Sequence, residues 1–214
     1  MGIAIVACVV ISLIVCLLLL TAGICGITGA ADAADSTLFS SVSSLRTAYI
    51  LLVLGGSIAI TTLIALIVIL IIGSVMSGYK SVDSNILALT SKPNPTADEY
   101  AATVLEYSEI HGHHDIQWFT AFAYILLTVI TAVVSILFVV STVSFAGIRN
   151  QDAKARSAHT ASTISMLTSI AAMLMLVVAT ISYFSAKSER TKAETALESF
   201  HTTAKITTPV PAPT

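Results

Sequence analysis

Charge is distributed along this chain in blocks. No Asp, Glu, Lys or Arg occurs at 1–31, 47–79, 116–148 or 157–186, and polar residues crowd into the short segments between. Within the charge-free intervals the apolar residues neither alternate nor keep to one stripe. The run "LIALIVILII" at 63–72 is continuous. Crossing the hydrocarbon core of a bilayer takes about 20 residues of helix, and each interval is longer. A closed β-barrel, the other architecture that satisfies its backbone within lipid, requires strands of alternating polarity. The pattern therefore predicts an all-α fold, a four-span transmembrane helix bundle with a short amphipathic helix in its central loop.

The blocks set the expected boundaries. A first span with its end occupies 1–30, and a short loop follows at 31–46. The second span takes 47–79, a polar loop 80–115, and the third span 116–148. A short basic loop at 149–158 leads to the fourth span at 159–186, and a tail at 187–214 is helical and then proline-rich. Inside the polar loop, Thr96 and Glu99 have the T-x-x-E spacing of a capping box, which starts a helix at about 97–111. Gly112 is a natural stop. Tyr100, Val104, Tyr107 and His111 fall on one face of that helix. Its acidic polar side favours a protein partner over anionic lipid. In the tail, Ala193, Ala196, Leu197 and Phe200 form an apolar stripe. Tyr100, Val104, Tyr107, Leu197 and Phe200 are the candidate partner contacts.

Small residues mark where spans should approach closely. Ala22, Gly26 and Ala30 recur every four positions, Gly55 and Gly56 precede Ser57, and Gly73 and Ser77 repeat the spacing. Membrane helices pack through such residues because lipid tails are as apolar as the helices themselves.

Composition narrows the function classes. Of 214 residues 56% are hydrophobic and only 10% charged, against roughly 25% charged in soluble domains. The net charge of −2 and the lack of a basic stripe argue against a nucleic-acid partner. The expected partners are the lipid bilayer, other membrane proteins, the proteins of a larger complex or capsid, or a second copy of the chain. The three cysteines, Cys8, Cys16 and Cys25, all lie in the first span and do not share a helix face. The loops lack the cysteine motifs of tetraspanins and claudins, and the long loop follows span two, so the chain resembles neither family.

The span interiors hold no ionisable side chain, which argues against proton relays and coupled transport. Hydroxyls remain at Thr61, Thr62, Thr131, Ser135, Ser141, Ser165 and Ser169; either they bond within the bundle or they line a small channel. One cluster has metal-ligand chemistry. Glu109, His111, His113, His114 and Asp115 offer nitrogen and oxygen donors of the types zinc and copper accept. Histidine also titrates near neutrality, so the cluster could sense pH instead. Its spacing matches no metal motif, and a helix C-terminus followed by a polar collar at the membrane surface accounts for it more simply. No cofactor is expected, and no nucleophile elbow, P-loop or H-E-x-x-H is present.

The expectation is thus a non-enzymatic integral membrane scaffold. It would anchor a larger assembly, such as an organellar complex or the membrane layer of a virion, through the central loop and tail. A small channel and a metal- or pH-sensing module are the alternatives. The side holding the central loop and tail has six Lys and Arg against four on the other, which leans both termini toward the cytoplasm.

Overall fold

The computed structural model of the protein describes residues 2–76, 79–92, 96, 98–103, 105 and 114–207. Five helices follow one another: α1 (Gly2–Ala34), α2 (Ser43–Met76), α3 (Tyr79–Ser91), α4 (His114–Phe145) and α5 (Ala153–Thr207). A further helical stretch at 98–103 lies between α3 and α4, and no strand occurs among the described residues. Four segments are long and apolar enough to cross a membrane: Val6–Ala34, Ser43–Ile72, Phe119–Phe145 and Ala153–Ser185. The protein is an all-α, four-helix, multi-pass integral membrane protein.

The surface of the bundle explains this better than its core does. Leu17, Ile71, Phe122, Val143 and Ile181 point outward, while many of the buried positions are Ala, Ser or Thr. In water such an arrangement would forfeit most of the hydrophobic stabilisation; in lipid it costs nothing. On α5 the large exposed apolar side chains begin at Ile164 and end at Phe184. At 1.5 Å per residue that is about 30 Å, the thickness of a hydrocarbon core. The helix has 55 residues and is therefore about 82 Å long, of which about 35 Å lies beyond Phe184.

The spans form a ring in which α1 lies beside α2 and α5, and α4 beside the same two, so that α1 and α4 face each other across the diagonal. The α1–α5 pair is antiparallel and keeps register throughout. The Cys8 Sγ donates to the Ala179 carbonyl, Ser165 donates to that of Ala22, and Lys154 reaches Asp32. The core has two zones. One gathers Val15, Leu19, Leu66, Tyr124 and Leu176 around the first half of α1. The other gathers Ala22, Ala30, Leu45, Leu52, Phe138 and Phe145 toward the short loops.

Three expected boundaries move. The first loop shrinks from 31–46 to 35–42 and the third from 149–158 to 146–152, because helix continues through charged residues that find partners there. The polar segment 80–115 is less of a loop than its composition suggests. It opens with α3, whose Ile86 and Leu89 are buried. The helix after the capping box is described at 98–103 and 105. Span four and the tail form one unbroken helix as far as Thr207.

Candidate functional site

Outside the apolar belt, the two short loops interlock. Asp152 caps α5: its Oδ1 accepts the Lys154 N–H at 3.1 Å, and its carbonyl accepts the first helical bond, from Arg156. Asp is a preferred residue at such an N-cap. The second oxygen, Oδ2, crosses to the other loop and accepts the Ser36 hydroxyl, the Thr37 N–H and the Thr37 hydroxyl. The Ser36 hydroxyl, the Lys154 N–H and the Thr37 donors hold the Asp152 carboxyl below its ordinary value. Asp32, near the end of α1, makes the reciprocal grip. It accepts Lys154 Nζ at 2.8 Å and the Ser157 hydroxyl at 2.6 Å. One carboxylate thus crosses from the third loop to the first, and the other from the end of α1 to the first turns of α5. Arg46 closes the first loop on itself through the Ser40 carbonyl, and Phe39 meets Tyr49 edge to face.

Within the membrane the hydroxyls are spent on carbonyls. Thr61, Thr62, Thr131 and Ser135 donate back to Ser57, Ile58, Leu127 and Thr131, and Ser169 donates to Met166. Ser141 and Ser165 reach across to the carbonyls of Ala48 and Ala22 on neighbouring helices. Further stations join the spans. Thr142 and Ser162 lie 2.8 Å apart, with Ser141 next to Ser162, and Thr128 meets Thr180. Another fully buried station is Ser12, which donates to the Cys8 carbonyl and sits 2.9 Å from the Tyr124 hydroxyl. Tyr124 in turn stacks on Tyr183. Interhelical bonds of this kind average about 0.6 kcal/mol, so they specify pairing more than they stabilise it.

Small residues line several of the close approaches between spans, two of them glycines that the four-residue spacing does not mark. Ala22 and Ala30 are buried. A methyl on Gly26 or Gly55 would meet the ring of Phe138, and one on Gly56 would meet the backbone of Gly23 and Ile27. Gly23 and Gly29 belong to the same surface: a methyl on Gly29 would run into Ala161 of α5. The stretch "GICGITG", with glycine at 23, 26 and 29, carried that signal at a three-residue step. Gly73 lies in α2, with its surroundings outside the described residues, as is Ser77.

The histidine cluster falls largely outside the described residues, which exclude Glu109, His111 and His113. His114 and Asp115 are the first two residues of α4, and their side chains are outside the description as well. Among the described residues no group of three or more His, Cys, Asp or Glu side chains is placed to hold a metal ion. Of the expected partner contacts, Tyr100 is half-buried, Leu197 and Phe200 lie on the α5 backbone, and Val104 and Tyr107 are outside the description. The capping box is formed in both directions. The Glu99 N–H donates to the Thr96 hydroxyl, and the Thr96 N–H donates to the Glu99 carboxylate. Lys92 adds an ion pair to Glu99 at 2.6 Å, and this pair lowers the Glu99 carboxyl from its usual range. No family model, curated protein or solved structure matches the chain.

Proposed function

We propose that the protein is a non-enzymatic membrane scaffold that anchors a larger assembly at a bilayer. The observation that carries this is how the polar groups of the spans are used. The seven hydroxyls singled out in the sequence all donate to carbonyls of their own or a neighbouring helix, so they act as packing groups. What the chain offers outward is an apolar belt for lipid and a long polar helix that leaves the membrane. That helix and the central loop emerge together and supply the surface for protein partners. The assembly is of the kind an organellar complex or the membrane layer of a virion represents. Both termini lie on the cytoplasmic side, where six of the ten Lys and Arg residues are then found.

The test is the native mass of the protein extracted in a mild detergent, with co-purifying chains identified. A large particle with stoichiometric partners is expected. A lone chain or a small homo-oligomer would overturn the reading.

A further inference from the structure

α2 turns a continuous face to lipid. Ile50, Leu54, Ser57, Thr61, Ile64 and Val68 are all exposed, at alternating steps of four and three residues. That is the repeat along which two membrane helices lie side by side. α4 exposes the same spacing from Phe122 to Val143 with apolar side chains alone, which lipid tails cover without loss. The α2 face differs in carrying a free hydroxyl. Ser57 stands near the centre of the span Ser43–Ile72. Its carbonyl accepts the Thr61 hydroxyl, and Thr62 likewise donates to the turn before it. The Ser57 hydroxyl itself has no partner. Among the described Ser and Thr lying more than one turn inside a span, it is alone in this. Lipid tails offer nothing to bond it, and an unpaired polar group in hydrocarbon is costly.

We propose that this face is the contact between two copies of the chain, α2 against α2, about a two-fold axis along the membrane normal. Such an axis brings each residue to the depth of its own copy, so Ser57 faces Ser57. A hydroxyl both donates and accepts, and the two complete each other. Serine is also small enough to let the backbones close, while Leu54 and Ile64 seal the contact above and below. The other outward hydroxyls favour self-pairing over a contact with a different span. On α1, Thr21 and Thr28 are exposed, and each already donates to a carbonyl of its own helix. The unpaired hydroxyl that matches Ser57 is therefore the Ser57 of a second chain. The inference does not rest on the scaffold reading, since a pair of chains can stand alone or inside a larger particle.

Oxidation with copper phenanthroline in membranes, with the linked peptides identified by mass spectrometry, reads the contact in the full-length chain. A disulfide forms only where the two Cα atoms come within about 7 Å. Ser57→Cys and Leu54→Cys should each give a covalent dimer joined through the introduced thiols. Their yields should stand several-fold above that of Val133→Cys, a lipid-facing position on α4 that is 47% exposed. Equal yields at all three positions would mean random collision and overturn the proposal, as would dimers joined only through the native thiols. Adding Ser57→Ala to Leu54→Cys should lower the yield about threefold, the worth of one interhelical hydrogen bond in a membrane. An unchanged yield would return the hydroxyl to its own helix and overturn the pairing. The native mass answers separately. A lone cross-linked pair would sink the scaffold reading and keep this one, and a large particle without the cross-link would do the reverse.

Discussion

The hydroxyls of Ser12 and Tyr124 lie 2.9 Å apart in the interior of the bundle and join the first span to the third across its diagonal. Ser12 also donates to the Cys8 carbonyl at 2.7 Å, so it keeps a partner if the phenol is lost. Tyr124→Phe should therefore cost only about 0.5–1 kcal/mol. Tyr124→Ala removes the ring that fills this zone and should cost about 3–5 kcal/mol. Thermal unfolding of the two variants in detergent separates the contributions, and equal losses would show that the hydroxyl dominates.

Gly56 and Gly147 should respond oppositely to alanine. A methyl on Gly56 would sit 3.1 Å from the Gly23 carbonyl oxygen and 3.2 Å from the Ile27 nitrogen. Backbone cannot swing aside as a side chain does, so α1 and α2 must separate. The expected loss is about 1–3 kcal/mol. A methyl on Gly147 meets nothing within 4 Å, and that variant should melt with the wild type.

The loop clasp should be insensitive to mild acid. Asp152 has a lowered carboxyl value in the folded chain, so the unfolded state binds its proton more readily. Its contribution is then fully present above the unfolded value of about 3.9 and is lost as pH falls through the folded one. The melting-temperature margin of wild type over Asp152→Asn should hold from neutrality to about pH 5 and shrink only at lower pH. Asp152→Asn should melt below wild type at neutral pH and close the gap in strong acid. A gap that persists there would assign the effect to packing.

The apolar belt on α5 fixes what water can reach. Ile181 is exposed within it, and Ser188 is exposed beyond its last member, Phe184. In membranes, a cysteine at Ser188 should react quickly with a charged thiol reagent, and one at Ile181 should stay unmodified. Equal labelling would displace the bilayer from the position the belt assigns.

How much of this was legible depended on range along the chain. The Thr96–Glu99 box formed as its spacing specified, because both partners sit within one turn. Ala22, Gly26, Gly55 and Gly56 were found by size alone, since only small residues allow backbones to meet. The clasp was not legible: Ser36 and Asp152 are 116 positions apart, and each by itself is an ordinary loop residue. Helix α3 was hidden by its hydroxyls and by a length too short to stand out from a polar loop. The histidine-rich stretch at 109–115 attracted attention through residue type, and its arrangement lies outside the described residues.

The sequence by itself determined the number of spans, because insertion depends on local runs of uncharged residues measured against a bilayer of known thickness. It also determined that no Asp, Glu, Lys or Arg lies in the interior of those spans. Only the tertiary structure decided which faces meet. In water a helix shows its buried side by a polar opposite face. Here lipid and core are equally apolar, so periodicity carries no such mark. The facing of Ser12 to Tyr124 and the slot for Phe138 both had to come from packing.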